Sequence, residues 1–489
     1  MSQYVLVIDQ STQATKLLLL TRQGQIKYRA SLGHRQIIDE NGWISHSLTE
    51  IKSNINLLVK KMLQKISAKT ITAVAITNQR ETAAAWSKST GEQLENAVVW
   101  QCSRAKEIVE QLAVKRGFKE EVKKKTGLPL SAYFTAAKFS WLLKKSANVK
   151  THLVNDDLCI GTIDSWLLYQ LTAGRSFKTE SSNASRTQLL NLRTQQWDPE
   201  LCRKFEVPLG ALPEIVDSDS LFGMTDFGGL LPQPIPIRSM LGDSQAALLA
   251  HDCQKTGALK ATFGTGSSVM LSLGETLHFS AASPLNASVG WRRKGKTTYV
   301  LEGNINYTGA IVSWMQHDLR LITDPKETAS AAYAANKNDR TILLPAFSGM
   351  GTLYANLKCK AAFFNMKRIT GRSELIRAAL NTVAYQINDV ILQFQKEGIE
   401  LQNVLHVDGG MIDNYYLMQF LSNLTQKEVV LAPLKELSAW GTALNSGFFT
   451  ADTFRRQTMS HSYIPQISGV ESQQLVRGWN EVIQLASDY

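Results

Sequence analysis

The sequence YVLVIDQSTQATKLLLL, residues 4–20, decides which fold we predict. Two apolar runs, 4–8 and 17–20, stand on either side of a short loop of small and polar residues, which is typical of two buried strands joined by a turn. A turn sequence, RQGQ at 22–25, then leads into IKYRAS. The stretch therefore predicts an antiparallel meander of three strands at the start of the chain.

The same pattern recurs in the second half of the chain. The runs ATF (261–263) and SVMLSL (268–273) surround a tight loop that begins at Gly264. Further strands are predicted at 71–77, 341–347 and 403–408, and helices at 103–116, 244–251, 373–395 and 415–425. Because strands alternate with helices in both halves, we predict an α/β fold with two domains, residues 1–246 and 247–489.

Length and composition narrow the class of protein. A chain of 489 residues with 44% hydrophobic and 19% charged residues has ample apolar mass for packed cores, so it is not a disordered protein. No stretch reaches the roughly 18 uninterrupted apolar residues of a membrane helix, and the N-terminus lacks the basic region of a signal peptide. We therefore expect a cytoplasmic protein without a membrane partner.

Charge and cysteine content exclude two further classes. The 53 Lys and Arg residues exceed the 42 Asp and Glu residues by 11, which suits an anionic partner. The basic residues are scattered, without interleaved aromatic residues, so we expect a nucleotide and not a nucleic acid. The densest basic run, 123–125, is interpreted as the solvated end of a helix. Five scattered cysteines without a CxxC pair predict reduced, mostly buried thiols.

Three turns offer groups that suit a nucleotide. Asp9 ends the first strand beside a loop of hydroxyl and amide groups, which phosphates and a hydrated metal need. The loop 264–266 lets its backbone approach a phosphate closely, and the glycines that follow Asp408 leave room for a base or ribose. A simple turn-forming Asp and a plain hairpin are the alternatives for the first two. Together the three turns predict a nucleotide site between two lobes.

A second set of residues suits a small polyhydroxylated ligand. Arg80 and Glu81 follow the strand 71–77, Trp100 offers an apolar face, and Asp243 ends a strand immediately before a helix. Asp243 could accept a proton from a ligand hydroxyl. The alternative interpretations are a surface ion pair for Arg80 and Glu81, a core position for Trp100, and a helix cap for Asp243.

These motifs resemble one known family. ITNQRETAAAW, VVWQCSRA, GTIDSWLLYQLTAGR, NASRTQLLNL, GDSQAAL, TFGTGS and HVDGG occur in the order found in FGGY carbohydrate kinases, within the actin, Hsp70 and hexokinase superfamily. The resemblance spans residues 4–449 and is strongest to the glycerol kinases of the family. It implies a two-domain, ribonuclease H-like α/β fold with the active site in the cleft between domains.

The resemblance also implies roles for individual residues. The positions that hold the polyol are Arg80, Glu81, Trp100, Tyr133, Asp243 and Ser244, and Asp243 is also the catalytic base. The positions that bind the nucleotide are Thr12, Gln13, Ala14, Lys16, Thr265, Gly309, Gly410 and Asn414. Asp9 and Asp243 would flank Mg²⁺ through water. The implied cofactors are ATP and Mg²⁺, and the implied assembly is a homodimer or homotetramer.

Some positions depart from the pattern of glycerol kinases. Ser244 stands where glycerol kinases usually have glutamine, which suggests a longer acceptor pocket, and Ser11 replaces a glycine of the first loop. Ala355 and Asn356 replace a Trp and an Asp, which puts the local packing in doubt. Glycerol is the expected acceptor. A tetritol or a pentulose such as xylulose is the alternative, and a non-catalytic nucleotide-binding homologue is the second alternative.

Overall fold

Two large mixed sheets, each covered by helices, form the frame of the protein. The computed structural model describes residues 3–347, 349–354, 359–450 and 461–487. The strands of the first half are β1 (Tyr4–Gln10), β2 (Ala14–Thr21), β3 (Ile26–Gly33), β4 (Ile37–Ile38), β5 (Ile44–His46), β6 (Ile71–Asn78), β7 (Ala83–Ser87), β8 (Ala97–Val98), β9 (Leu158–Thr162), β10 (Lys178–Glu180), β11 (Leu190–Asn191), β12 (Gln196–Trp197), β13 (Glu214–Val216), β14 (Gly223–Thr225) and β15 (Ile235–Gly242). Those of the second half are β16 (Leu259–Phe263), β17 (Ser267–Gly274), β18 (Asn286–Arg293), β19 (Lys296–Ile305), β20 (Ile342–Leu344), β21 (Ala362–Phe364), β22 (Val404–Gly409), β23 (Glu428–Leu431) and β24 (Ser462–Tyr463).

Helices connect these strands and cover their faces. They are α1 (Leu48–Leu63), α2 (Lys106–Ala113), α3 (Phe118–Thr126), α4 (Thr135–Lys145), α5 (Ala147–Val154), α6 (Ile163–Leu171), α7 (Ser181–Ala184), α8 (Pro199–Lys204), α9 (Asp243–Ala250), α10 (Gly309–His317), α11 (Glu327–Ala334), α12 (Arg372–Lys396), α13 (Tyr415–Thr425), α14 (Leu437–Asn445) and α15 (Gly469–Ser487). None of the described helices combines the length and the apolar character needed to cross a bilayer.

The two large sheets share one topology. In the first, β3, β2 and β1 form an antiparallel meander, and β6 and then β15 continue it in parallel with β1. In the second, β19, β17 and β16 form the meander, and β22 and then β23 continue it in parallel with β16. Both predicted hairpins are present. The repeated order confirms the predicted α/β fold of two related halves.

Burial explains why the parallel strands lie at the centre of each sheet. The side chains of Val5–Ile8 in β1 and of Leu17–Leu20 in β2 are at most 1% exposed, because helices cover both faces of the sheet. The carboxyl ends of parallel strands meet at one edge, where loops of open α/β sheets bind ligands. The register places Asp9 beside Thr77 in β6, so the end of β1 lies at this edge.

A helix of the second half completes the core of the first sheet. The apolar side of α14 packs with α9 against β1, β2 and β6, and Trp440 donates from Nε1 to the carbonyl of Gly24 at 3.1 Å. Gly441 allows this packing, since a Cβ atom at that position would lie 1.8 Å from the carbonyl oxygen of Ala246. One apolar cluster therefore contains residues of both halves.

Replacing Gly441 with Ala is expected to lower the free energy of unfolding by at least about 2 kcal/mol, because α14 and α9 must separate to admit the methyl group. Chemical denaturation of both proteins measures the difference. Gly478 in α15 is the matched control, because a Cβ atom there would meet nothing within 4 Å. Gly478→Ala should raise helix stability slightly. A Gly441→Ala protein as stable as wild type would contradict this packing.

Several local predictions need correction. Lys123 does lie in the last turn of α3, but it is buried, and its Nζ donates to the carbonyls of Gly127 and Leu285. It is therefore not part of a solvated helix end, because two backbone oxygens replace its water. The strand predicted over 341–347 is limited to β20, since Pro345 lacks the N–H group that a longer ladder needs.

Other predictions are confirmed or lie beyond the description. Cys102, Cys159, Cys202 and Cys253 are buried free thiols, as expected, and Cys359 is half-buried and free. The departures at positions 355 and 356 lie outside the described residues.

Candidate active site

A cavity of about 230 Å³ lies between the two halves and is bordered by residues next to the first and third predicted turns, whereas no residue of the second turn, 264–266, lines it. It lies where β1, β15 and β22 end, at the carboxyl edges of the two sheets. The residues that line it include Asp9, Lys16, Asp243, Ser244, Lys260, Thr262, Asp408, Gly409, Lys435 and Glu436. The structure therefore brings together the strand-end acids and the loop lysine that the sequence singled out. We call this space the inner cavity.

The first loop places an acid and a lysine on the wall of the inner cavity. Lys16 Nζ lies 3.5 Å from Asp9 Oδ2 and 2.9 Å from Glu436 Oε2. Burial raises the pKa of Asp9 to about 6, Lys16 opposes this rise, and the negative charges of Asp243 and Glu436 add to it. Asp9 and Asp243 line the same cavity, and the negative charge of each disfavours ionisation of the other. A cation next to these two carboxylates would compensate their charge.

Asp9→Asn is expected to raise the free energy of unfolding at pH 7 by about 1–3 kcal/mol in the absence of nucleotide. The raised pKa means that the ionised carboxylate is disfavoured in the folded protein, so Asp9 lowers stability above pH 6. Asparagine resembles the protonated acid. The gain should therefore shrink as the pH falls through 6 towards 4, where wild-type Asp9 takes up its proton. Thermal unfolding at both pH values measures it. A variant less stable than wild type at pH 7 would contradict the assignment.

The first loop also contacts the predicted aromatic wall. Trp100 donates from Nε1 to Thr12 Oγ1 at 3.0 Å, and the carbonyl of Gln13 accepts from the backbone N–H of His34 at 3.1 Å. Ser11 closes the turn by donating from Oγ to the carbonyl of Ala14 at 2.9 Å. Side-chain hydrogen bonds thus hold the first loop. One of them comes from Ser11, which replaces the glycine of the family pattern.

The second hairpin is fixed against the start of α10. The carbonyl of Thr265 accepts from the backbone N–H of Thr308 and of Ala310, and the carbonyl of Gly264 accepts from Gly309 at 3.0 Å. A Cβ atom at Gly309 would lie 2.7 Å from the Gly264 oxygen, so this close contact requires glycine. Thr265 and Gly309 therefore lie next to each other.

The bend after β22 lies next to this hairpin. Gly410 donates its backbone N–H to the carbonyl of Phe263 at 2.8 Å. Asn414 caps α13, accepting from the N–H of Leu417 at 3.0 Å, and donates from Nδ2 to Thr328 Oγ1 at 2.9 Å. Gly410 is thus held against β16, and the Asn414 side chain already uses its amide N–H and its oxygen in contacts within the second half.

A buried lysine, Lys260, which was not predicted from the sequence, lines the inner cavity. Lys260 in β16 is fully buried; its Nζ lies 3.9 Å from Asp408 Oδ2 and donates to the carbonyl of Ser244 at 3.3 Å. His251 Nε2 lies 3.1 Å from the same Asp408 oxygen. Burial would raise the pKa of Asp408, but Lys260 and His251 hold it below its usual value. The feature of the sequence that could have identified Lys260 is a lysine within the apolar strand β16.

Arg80 and Glu81 belong to a buried network of four charges, so the alternative of a surface ion pair is wrong. Arg80 Nε lies 3.4 Å from Asp243 Oδ1, and its Nη2 lies 3.1 Å from Glu302 Oε1. Arg186 contacts Glu81 at 2.5 Å and Glu302 at 2.7 Å. The two arginines hold the pKa of Glu302 well below its usual range against the effect of burial. Arg186 and Glu302 were not predicted.

The predicted aromatic residues Trp100 and Tyr133 lie beside this network. The rings of Trp100 and Tyr133 meet edge to face with centroids 5.5 Å apart. Lys138, also not predicted, is buried and donates from Nζ to the carbonyls of Glu81 and Tyr133. This lysine fixes Glu81, whose φ of +63° is unusual for a residue with a side chain. We call Arg80, Glu81, Trp100, Tyr133 and Asp243 the acceptor clamp.

Asp243 connects the acceptor clamp to the inner cavity. It is the first residue of α9, its side chain is 37% exposed, and Gly242 occupies the cap position. The capping alternative is therefore wrong. Loss of surrounding water raises the pKa of Asp243, and Arg80 opposes this rise. The carboxylate thus touches an arginine on one side and borders the phosphate-sized space on the other.

The carboxylates at this edge suit a magnesium ion that retains part of its water. The described residues contain no cluster of three or more His, Cys, Asp or Glu side chains placed to hold a metal. Mg²⁺ is commonly bound by one or two carboxylates together with phosphate oxygens and water. Asp9 and Asp243, which line one cavity and interact through their charges, fit that pattern.

Comparison with known proteins agrees with this geometry. Family models for the FGGY family of carbohydrate kinases match residues 4–250 (N-terminal domain) and 259–448 (C-terminal domain). Glycerol kinase 1 of Thermotoga maritima is 39% identical over 98% of this chain and 99% of its own length. The glycerol kinase of Clostridium beijerinckii is 34% identical over 100% and 99%.

A solved structure shows the same fold. The glycerol kinase of Plasmodium falciparum, whose structure was determined with ADP, superimposes with a TM-score of 0.93 at 30% identity, covering 99% of this chain and 98% of that one. Two family models and relatives above 30% identity span almost the whole sequence. The chain therefore belongs to the FGGY family of carbohydrate kinases, a family of phosphotransferase enzymes.

Proposed function

We propose that the protein transfers the γ-phosphoryl group of ATP to a terminal hydroxyl of glycerol, forming glycerol 3-phosphate. One observation carries this proposal: the Asp243 carboxylate lies between an arginine-bearing polar clamp and a cavity lined by lysines. Relatives named glycerol kinases align along the full length, which supports glycerol as the acceptor.

The acceptor clamp would bind and orient the small polyol. Arg80 donates to hydroxyl oxygens, the Glu81 carboxylate accepts from hydroxyl groups, and the Trp100 and Tyr133 rings cover the carbon atoms. Asp243 accepts the proton of the attacking hydroxyl as its oxygen bonds to the γ-phosphorus and the bond to ADP breaks. Loss of surrounding water raises the pKa of Asp243 above its ordinary value, which makes its carboxylate a stronger proton acceptor. Ser244 lies beside this base on the cavity wall.

Lysines and loop amides would bind the transferring phosphoryl group. Lys16 and Lys260 border the inner cavity and carry the positive charge that stabilises the γ-phosphate during transfer. Thr12, Gln13 and Ala14 present the first loop, while Thr265, Gly309, Gly410 and Asn414 hold the nucleotide from the second half. Asp9 and Asp243 would hold Mg²⁺ through water, and the ion would neutralise charge on the phosphates.

Three further features are part of the proposal. The domains are residues 1–246 and 247–489, although this boundary falls within α9, and the active site lies between them. The protein acts in the cytoplasm. It assembles as a homodimer or homotetramer, which light scattering of the purified protein would test.

The direct test is ADP release in the presence of ATP, Mg²⁺ and glycerol. We expect glycerol to raise the rate of ADP release far above the rate without an acceptor. Glycerol 3-phosphate should form in the same molar amount as ADP. Erythritol and xylulose, tested in parallel, examine the alternative acceptors. Nucleotide binding without stimulation by any acceptor would remove the kinase proposal and favour a non-catalytic homologue.

A further inference from the structure

A buried carboxyl group outside the site described so far accepts five hydrogen bonds. Glu180 ends β10 and is fully buried. Its oxygens accept from the backbone N–H and the hydroxyl of Ser182, from the backbone N–H and the Nδ2 of Asn183 at 2.7 and 2.9 Å, and from the hydroxyl of Ser218 at 2.6 Å. All of these donors are neutral groups. We call Glu180, Ser182, Asn183 and Ser218 the Glu180 network.

Ionisation of Glu180 does not stabilise the fold. Burial raises the pKa of Glu180 to about 7, although its hydrogen bonds act in the opposite direction. A carboxyl group whose pKa is raised in the folded protein lowers the stability at neutral pH relative to its protonated form. Fully bonded polar networks, however, fix one arrangement of the elements that supply their donors. The geometry that the Glu180 network fixes therefore explains it better than stability does.

The first arm of the network leads to Asp243. Ser182 Oγ donates to Glu180 and accepts from the backbone N–H of Gly242 at 3.0 Å. Gly242 is the last residue of β15, and Asp243 follows it as the first residue of α9. Ser182 is fully buried, so water does not replace its hydroxyl. The direction in which the chain leaves β15 towards Asp243 thus depends on one hydroxyl that Glu180 holds.

The second arm leads to the acceptor clamp. Asn183 Nδ2 donates to Glu180 and to Asn78 Oδ1 at 3.1 Å, and Asn78 Nδ2 donates to Asn183 Oδ1 at 2.9 Å. Asn78 ends β6 and also donates from Nδ2 to the carbonyl of Gln79 at 2.8 Å. This carbonyl belongs to the peptide bond that precedes Arg80. The start of the clamp is therefore held by buried hydrogen bonds that lead back to Glu180.

A third contact joins the network to the second half of the chain. Ser218, which donates to Glu180, accepts at its Oγ from the backbone N–H of Arg292 in β18 at 3.2 Å. The backbone N–H of Ser218 donates to the Arg292 carbonyl at 2.6 Å, and its carbonyl accepts from Asn445 Nδ2 in α14 at 2.6 Å. Elements of the second half thus hold Ser218, and Ser218 holds the Glu180 carboxyl group.

We propose that Glu180 is a positioning residue for phosphoryl transfer, which orients Asp243 through the first arm and Arg80 through the second. The inference rests on the proposed function, since it takes Asp243 as the proton acceptor and Arg80 as a ligand of the polyol. The two arms affect different steps. An Asp243 turned away from the attacking hydroxyl slows the transfer, whereas a displaced Arg80 weakens binding of the acceptor.

Steady-state kinetics of variants that break one arm each test this inference. Ser182→Ala removes the hydroxyl of the first arm, and we expect kcat for glycerol phosphorylation to fall about tenfold while KM for glycerol changes less than twofold. Ser182→Thr keeps the hydroxyl and should retain at least half of the wild-type kcat. Asn78→Ala breaks the second arm, and we expect KM for glycerol to rise about tenfold with kcat changed less than twofold. Glu180→Gln should show both effects.

The matched control is Ser472→Ala in α15, because Ser472 is also buried and donates its hydroxyl to a carbonyl, that of Leu424, at 2.7 Å. It should lower the stability in thermal unfolding as Ser182→Ala does but change neither kinetic constant. Equal falls of kcat in the two serine variants, or a Ser182→Ala enzyme with wild-type kcat, would overturn the positioning role. The single-arm variants decide this even if Glu180→Gln does not fold.

The wild-type protein separates this inference from the proposed function. If it phosphorylates glycerol and the single-arm variants match it in kcat and KM, the positioning role is wrong while the proposed function survives. If it phosphorylates no acceptor, the proposed function fails and the positioning role fails with it. Loss of kcat in Ser182→Ala with recovery in Ser182→Thr would support the role of the first arm.

Discussion

Replacing Asp243 with Asn is expected to lower kcat for acceptor phosphorylation by about 10²–10⁴-fold. The variant keeps the size of the side chain and its contact with the Ser244 N–H but removes the proton acceptor at the junction of the clamp and the inner cavity. Nucleotide affinity should change little, because the lysines and loop amides remain. Steady-state kinetics and calorimetric titration with ADP measure the two effects separately.

The matched control for this prediction is Asp318→Asn, because Asp318 is an exposed acid at the end of α10, remote in sequence from both loops. It should leave kcat unchanged. Retention of more than a tenth of wild-type turnover by Asp243→Asn would show that another group accepts the proton. A folded protein with normal ADP affinity and no turnover would support the assignment.

Glu302→Gln is expected to lower the free energy of unfolding by about 3–5 kcal/mol and to raise the KM for glycerol. Glu302 is fully buried and its carboxylate binds Arg80, Arg186 and the hydroxyl of Ser268, which donates at 2.6 Å. A neutral amide leaves two buried guanidinium groups poorly compensated, so Arg80 loses its fixed position in the clamp. Denaturant unfolding and glycerol saturation curves measure these effects.

The control for Glu302→Gln is Glu275→Gln. Glu275 also pairs with a basic residue, Lys296, at 3.5 Å, but both side chains are more than 60% exposed. Exposed pairs contribute about 0–1 kcal/mol, so this variant should match wild type closely. If Glu302→Gln were equally stable and bound glycerol normally, the buried network would have no part in holding the clamp.

The frame of the fold follows from local patterns in the sequence. The runs 4–8 and 17–20, and 261–263 and 268–273, predict the two hairpins, because alternation of apolar runs with small polar loops depends only on neighbouring residues. The positions of Asp9 at the end of a strand and of Asp243 at the start of a helix can also be predicted from neighbouring residues. Their convergence on one cavity depended on the family resemblance and is seen in the structure.

The buried charges could not be predicted from local patterns. Glu302 binds Arg80 across 222 positions of sequence, and Lys138 reaches the carbonyl of Glu81 across 57. Such contacts depend on how whole sheets pack, which short-range spacing does not determine. For Lys123, the local pattern gave a wrong prediction. A run of lysines after two glutamates is usually solvated, but Lys123 donates to the carbonyl of Leu285 in the second half.

The position of α14 on the first sheet has a consequence for biosynthesis. While the ribosome is still translating the second half, Val5, Leu18 and Leu241 lack the apolar cover that Trp440 and Phe448 later provide. An N-terminal fragment that emerges from the ribosome therefore exposes an apolar surface. Such a surface binds chaperones or causes the fragment to aggregate. We expect a nonsense mutation shortly before α14 to yield insoluble product in cells, even though every residue of the first sheet has been made.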